Sequence, residues 1–403
     1  MNIAMFSDSY YPYVSGVVRS IELFRQELQK LGHNVYIFAP SYRRQKEEEG
    51  VFRFPSITAP TNKDFSLALP FAPGVGKKLR DLKIDLVHCH SPFLLGNVGA
   101  RMARRNNIPL VFTHHTMYDL YVHYVPLFPG LARRLVLGFV RNFCNRCNLV
   151  ITPTNVVAKK LRELGINTPL QAIPTGLKLE EFSDPDTGWL RREYGIGPEE
   201  KVLLCVARFG KEKNLDMILE AFRLINRDYP ASRLFLVGIG PLEEELRTMA
   251  AYLGIASRVT IIGQALTRRT LTNYYAGADL FIYAATTETQ GIIVGEAQAV
   301  GLPVVAVGAN GIGEMVNDGF DGLLTSPSAA ELAEKALVVL RDEELRNLLG
   351  SQALESARHI SSTATAQRMA KAYEAILAEH QATRGSRHWN TSAACASKSD
   401  EIG

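Results

Sequence analysis

The chain has 403 residues, 46% hydrophobic and 21% charged, so it can bury a large core and is too long for one ordinary domain. Global disorder is excluded by the same numbers. The net charge of +4 conceals an asymmetry: residues 1–175 hold 22 Lys/Arg against 11 Asp/Glu, a net of +11, and residues 176–403 hold 23 against 30, a net of −7.

Short apolar runs alternate with amphipathic stretches along the chain. In the first half, strands are predicted at 2–7, 34–39, 85–89, 109–113 and 148–152, with helices at 17–31, 94–105, 131–146 and 154–165. The run Ile173-Pro174-Thr175-Gly176 breaks the pattern and predicts a boundary between domains 1–175 and 176–360. The second half predicts strands near 201–207, 233–237, 259–262, 279–284 and 303–306. Its helices fall near 214–228, 241–253, 268–276, 294–300, 328–341 and 343–358. A last helix, about 362–381, could pack back on the first domain, and 384–403 reads as a disordered tail. The fold class is α/β: two doubly wound, Rossmann-like parallel-sheet domains, with a ligand expected in the cleft where their strands end.

No apolar run approaches the ~18 residues of a membrane span. Asn2–Phe6 reads directly as a strand, not as a signal peptide. Cys89, Cys144, Cys147, Cys205 and Cys395 are too few and too scattered for a disulfide framework. A soluble cytoplasmic protein is expected, one still able to touch a membrane surface.

Four constellations carry chemistry. Thr287-Glu288-Thr289-Gln290-Gly291-Ile292-Ile293-Val294-Gly295-Glu296 follows a strand and opens a helix, whose start suits a phosphate. Glu288 is placed in the loop above the sheet and Glu296 two turns into the helix, within reach of a ribose; carboxylates accept pairs of sugar hydroxyls. The alternative is that one or both are solvated helix-face charges. Arg208-Phe209-Gly210-Lys211-Glu212-Lys213 puts two cations at a strand's carboxyl end, suited to a diphosphate or merely a basic turn. Ser15-Gly16-Val17 lets backbone approach a phosphate or sugar ring. Thr113-His114-His115-Thr116 sets a histidine at a strand end, as a site residue or a structural one.

In their order these residues resemble the retaining GT-B glycosyltransferases of family 4, the group 1 set, from Met1 to about His380. The resemblance rests on Glu288-x7-Glu296, Arg208 with Lys213, and the turn at Gly16. Asp85-Leu-Val-His-Cys-His90, Pro174-Thr-Gly176…Phe182, Val237-Gly-Ile-Gly240-Pro and Gly301-Leu-Pro303-Val-Val extend it. It implies that Arg208 and Lys213 grip the diphosphate, that Glu296 holds the ribose and that Glu288 orients the donor sugar. The amides of Gly291 and Ile292 then meet sugar or phosphate, Gly238 and Gly263 line the nucleotide-sugar site, and Gly16 faces the diphosphate from the first domain. His115, or else His114, matches the family's active-site histidine. It further implies a nucleotide sugar as substrate, UDP-linked, no resident cofactor and no metal. Asp184-Pro185-Asp186 reads as a linker, and Cys144-Asn-Arg-Cys147 lacks the second pair that zinc needs.

The acceptor is sought in residues 77–146, where eleven Lys/Arg face three acids, a net of +8. Tyr121, Tyr124 and Phe128 lie among them, as do Arg133, Arg134 and Arg141 within the apolar stretch Leu131–Phe143. Cations beside aromatic and aliphatic groups suit an anionic membrane surface, here the inner face of the cell membrane; the bland alternative is a solvated face. His115-Thr-Met-Tyr118, Tyr124-Val-Pro126 and Glu288-Thr-Gln-Gly291 resemble the diacylglycerol glucosyltransferase branch, which implies a lipid acceptor. Phosphatidylinositol and polysaccharide or lipopolysaccharide acceptors share these features. A nucleotide-sugar epimerase, a nicotinamide dehydrogenase and a non-catalytic binder fit the motif order less well. No nucleic-acid recognition motif accompanies the basic stretch.

Overall fold

The computed structural model describes residues 1–43, 45–59, 62–71, 73–116 and 129–396. The chain divides into two compact units. The first comprises Met1–Thr152, Ala158–Ile173 and the chain from Ala366; the second comprises Pro153–Val157 and Pro174–Thr365.

The first unit is built from β1 (Asn2–Phe6), α1 (Gly16–Lys30), β2 (Asn34–Pro40), β3 (Val51–Phe54), β4 (Ser56–Ala59), β5 (Asn62–Ala68) and α2 (Val75–Asp81). It continues through β6 (Leu86–Cys89), α3 (Leu94–Asn106), β7 (Leu110–Thr113), α4 (Pro129–Cys144), β8 (Leu149–Thr152), α5 (Asn155–Glu163) and β9 (Leu170–Ala172). Seven strands pair in the order β3-β2-β1-β6-β7-β8-β9, all parallel, while β4 and β5 form a separate antiparallel ribbon. β6, β7 and β8 are buried at every position, as a sheet covered on both faces requires. α1 starts at Ser15, whose hydroxyl accepts from the Val18 amide at 3.3 Å, and α3 stops at Asn107 in the left-handed region.

The second unit holds α6 (Trp189–Tyr194), β10 (Lys201–Val206), α7 (Leu215–Asp228), β11 (Ser232–Val237), α8 (Glu243–Tyr252), β12 (Val259–Ile262), α9 (Arg268–Gly277) and β13 (Leu280–Tyr283). α10 (Ile292–Gln298), β14 (Val304–Val307), α11 (Ile312–Met315), β15 (Gly322–Thr325), α12 (Ala329–Arg341) and α13 (Glu343–His359) complete it. Its parallel sheet runs β12-β11-β10-β13-β14-β15. Leu203 of β10 pairs Leu234 on one side and Leu280 on the other.

α14 (Ser362–Ala396) crosses from the second unit to the first. Ala366, Met369, Ala370, Tyr373 and Ile376 recur at helical spacing and join the core of β1, β6, β7 and β8. The helix extends past the predicted 381 through the segment read as a disordered tail, to Ala396; no proline interrupts it, and 397–403 lie outside the described residues. β3, the β4–β5 ribbon, α2, β9, α6, α11 and β15 were not predicted. They are short and mixed in composition: β3 adjoins the charged run Lys46–Glu49, and β15 opens on a glycine. The grouping of residues 153–157 with the second unit also differs from the predicted single boundary. Among the described residues no helix is long and apolar enough to cross a membrane.

Tyr373 is fully buried, and its hydroxyl sits 2.6 Å from His88 Nδ1 on β6. Tyr373→Phe leaves that nitrogen without its partner at a cost of about 1–3 kcal/mol. The midpoint of thermal unfolding should drop, read by near-ultraviolet circular dichroism; an unchanged midpoint would show that α14 docks by apolar contact alone.

Candidate active site

In the second unit the site forms at the carboxyl ends of β10 and β13, which are sheet neighbours. After β10 the chain runs through Arg208, Phe209 and Gly210 into one tight turn, Lys211–Lys213. Phe209 is buried and fixes the loop: its amide donates to Ile239 O at 3.0 Å, and its carbonyl accepts from Leu242 N at 3.2 Å. Two loop backbones meet closely here. A Cβ on Gly238 would lie 1.8 Å from Ala207 O, and one on Gly240 would lie 2.3 Å from Phe209 O. Packing therefore demands glycine at 238, apart from any ligand. A Cβ on Gly263 would lie 1.8 Å from Glu243 Oε2, so that glycine makes room for a carboxylate.

Arg208 and Lys213 stand where the sequence places them, and each leans on a glutamate. Arg208 Nη2 donates to Glu212 Oε1 at 2.6 Å. Lys213 Nζ donates to Glu288 Oε1, which also accepts from Tyr283 OH at 2.7 Å. Burial works to raise Glu212, but a backbone hydrogen bond and then Arg208 outweigh it, and its carboxyl sits below the usual range. Burial, reinforced by the Glu288 charge, pushes the Tyr283 hydroxyl up, so it remains a donor. Asn214 Nδ2 donates to Ala284 O at 3.0 Å and stitches the same two loops together.

The Glu288 loop is held from both sides. Its carbonyl accepts from Gly311 N at 3.0 Å, and a Cβ on Gly311 would lie 2.6 Å from Gln290 N. The Gln290 amide accepts from Thr175 N at 2.9 Å and donates to Thr175 O at 2.8 Å. Gly291 adopts φ +81°, open to glycine at little cost, and Ile292 begins α10. Glu296 is 6% exposed: Oε1 accepts from Arg268 Nη1 at 2.7 Å and Oε2 from Tyr275 OH at 3.0 Å. Neither glutamate is a solvated helix-face charge. Glu314 accepts from Asn155 N at 2.8 Å and from Val156 N, and so caps α5.

Sequence reasoning missed Tyr283, Tyr275 and Arg268. The tyrosines look like apolar members of β13 and α9; the available signal is that a phenol in an apolar run needs a partner.

In the first unit Gly16 is the first residue of α1, and a Cβ there would meet nothing within 4 Å. Protein packing does not require glycine at that point. His88 and His90 share one side of β6, with ring centroids 4.1 Å apart, while the Cys89 thiol faces Gly99 and donates to Gly96 O at 3.4 Å. His90 Nδ1 lies 2.9 Å from His115 Nε2. His114 is buried, edge-on to Phe112, and His115 is half-buried. Burial, then His115, lowers His88 to about 3; burial, then His114, lowers His115 to about 3. His90 is pushed well below 6.5 by burial and then by His88. Arg133, Arg134 and Arg141 are exposed on α4. Tyr121, Tyr124 and Phe128 lie outside the described residues. Cys144 and Cys147 are buried free thiols, and among the described residues no group of three or more His, Cys, Asp or Glu could hold a metal.

Residues 14–181 match the family description Glycosyltransferase Family 4, and residues 188–356 match Glycosyl transferases group 1. The chain is similar to the alpha-monoglucosyldiacylglycerol synthase of Acholeplasma laidlawii, 31% identical over 88% of this chain and 92% of that protein. It is likewise similar to that of Streptococcus pneumoniae, 33% identical over 80% of this chain and 75% of that protein. Among solved structures, Anabaena HepE in complex with UDP shares the fold, with a TM-score of 0.74 and 21% identity over 93% of this chain and 100% of that one.

The lowered imidazoles carry a pH dependence. Unfolded, each histidine takes a proton near pH 6.5; folded, His88 and His115 take one only near 3. Their stability contribution is intact above pH 6.5 and is lost as pH falls toward 3. Between pH 7 and 5.5 the unfolding midpoint should fall, with more than one proton taken up on unfolding. A midpoint flat across that window would contradict a neutral buried cluster.

Proposed function

Because the chain belongs to the group 1 glycosyltransferases of family 4, we propose that it is a retaining enzyme that moves a hexose from a UDP-sugar onto diacylglycerol at an anionic membrane surface. Its two parallel-sheet units are those of the GT-B fold.

One observation carries the acceptor. Leu131, Leu135 and Phe139 are 60, 65 and 41% exposed, and their i, i+4, i+8 spacing makes one stripe along α4. Arg133, Arg134 and Arg141 stand exposed on the same helix. A helix face meant only for water has no use for three large apolar groups, whereas a lipid interface takes both the stripe and the arginines. Tyr121, Tyr124 and Phe128 precede this helix and belong to the same reading. The diacylglycerol acceptor is supported by the names of the two relatives. The enzyme then works in the cytoplasm, held peripherally at the inner membrane face.

The donor chemistry follows from charge. The bond from sugar C1 to the phosphate oxygen breaks while the acceptor hydroxyl oxygen bonds C1 from the same face. The acceptor's proton passes to the departing phosphate oxygen, which leaves as UDP. Arg208 and Lys213 exchange carboxylate partners for diphosphate oxygens and take up the charge that develops, so neither a metal nor a resident cofactor is needed. Glu288 orients the sugar. Glu296 offers the ribose the lone pairs that Arg268 and Tyr275 leave open. The Gly291 and Ile292 amides, Gly238 and Gly263 line the nucleotide sugar, Gly16 lets backbone approach the diphosphate, and His115 faces the reaction.

Arg208→Ala and Lys213→Ala should each lower turnover on the order of 10²-fold or more. Initial rates of UDP release with diacylglycerol decide this; near-normal rates in both variants would refute their role.

The full chain, given a panel of nucleotide sugars and diacylglycerol in phosphatidylglycerol vesicles, should yield a hexosyl-diacylglycerol mass from a UDP-sugar, unaffected by EDTA. Each arginine near such a surface contributes about 1 kcal/mol. Reversing Arg133, Arg134 and Arg141 to Glu should therefore weaken vesicle binding by roughly 10²-fold or more. Slow donor hydrolysis should survive the reversal. Product only on soluble sugars, or equal binding to neutral vesicles, would overturn the lipid reading.

A further inference from the structure

His90 follows β6 directly and is 2% exposed. Its Nδ1 is 2.9 Å from His115 Nε2, and the two rings are tilted by only 24°. Its other nitrogen, Nε2, is buried and meets no hydrogen-bond partner. The neighbouring His88 is fully engaged, with Nδ1 on Tyr373 OH at 2.6 Å and Nε2 on Thr113 Oγ1 at 2.7 Å.

A hydrogen bond between two imidazoles uses one proton, and two placements are available. If His115 donates through Nε2, a neutral His90 must carry its own proton on Nε2. That makes a buried N–H with nothing to bond. If His90 donates through Nδ1, only a lone pair is left over at Nε2. Orphaned buried donors are rarer than under-used acceptors, because a stranded N–H has lost water and gained nothing. A doubly protonated His90 is opposed by its burial and by His88.

We infer that His90 is a positioning residue: its Nδ1–H donates to His115 Nε2 and so keeps the His115 proton on Nδ1. One nitrogen's hydrogen bond sets the state of the other. His115 then offers its surroundings an N–H donor rather than a lone pair, which suits a sugar or phosphate oxygen. This consequence rests on His115 being the active-site histidine; the tautomer itself does not.

The full chain labelled with 15N-histidine reports the tautomer by correlating ring nitrogens with carbon-bound ring protons. Assignment uses difference spectra against His115→Asn and His90→Asn. His115 should show a protonated Nδ1 and a bare Nε2, and His90 a protonated Nδ1. A protonated Nε2 on His115 would overturn the inference. No glycosyl transfer enters this measurement, so it stands apart from the acceptor assay.

Activity supplies the second readout. His90→Asn keeps a side-chain donor near the Nδ1 position; His90→Leu fills the space better but donates nothing. His90→Asn should retain kcat within about threefold. His90→Leu should lower it on the order of 10²-fold with donor KM unchanged, as a mis-set imidazole does. A packing role gives the reverse order, with Leu tolerated and Asn harmful, and that result would overturn the inference.

Discussion

A carboxylate at the end of a buried parallel sheet needs partners, and Glu288 takes them from two directions. Lys213 reaches it from the loop after β10, and Tyr283 from the end of β13 itself. β10 and β13 are adjacent in the sheet, at the point where the strand order turns from β12-β11-β10 to β13-β14-β15. At such a switch point neighbouring loops diverge and leave a crevice above the strand ends. The Glu288–Lys213 pair spans that crevice. Gly311, Gln290 and Asn214 also hold the backbone on either side, so neutral hydrogen bonds support the loops beside this charge contact.

The pairing of both cations with glutamates does not argue against an anionic ligand. Arg208, Glu212, Lys213 and Glu288 together carry no net charge in the ligand-free arrangement. Removing one partner of a buried pair leaves an uncompensated charge, which is costly. A cluster that trades carboxylate oxygens for phosphate oxygens never passes through that state. Arg208 and Glu212 are partly exposed, and their pairing contributes little. Lys213 and Glu288 are mostly buried, so on the proposed reading their exchange sets the harder condition for a phosphate's entry.

The sheets were legible because short apolar runs such as Leu280–Tyr283, alternating with longer amphipathic stretches, suit covered strands, and the glutamates because eight residues place both on one loop-to-helix turn. Their partners were not. Arg268 lies 28 residues from Glu296 in sequence and meets it only because α9 and α10 pack together. Tyr275 and Tyr283 carry hydroxyls inside patterns that read as apolar. His114 and His115 are adjacent, and no periodicity separates them; only the fold turns one into the core and leaves the other half-buried. Residues 153–157 show the same limit: α5 is one unbroken helix in sequence, yet its first turn is anchored by Glu314, far along the chain.

The two halves also use charge at different ranges. The first carries +11, and its arginines on α3 and α4 are exposed, where they act through water over a Debye length of about 8–10 Å. Its buried polar cluster carries no charge, since burial holds His88, His90 and His115 neutral. A protonated imidazole there would meet the same surface field, but desolvation would cost more than that field returns. The cluster works instead by the direction of single hydrogen bonds. The second half inverts this arrangement. It is acidic overall at −7, yet it gathers Arg208 and Lys213 at one strand end, close enough for contact. Charges that act through water and charges held in direct contact thus lie in different halves of the sequence, and a change in salt should act on the first far more than on the second.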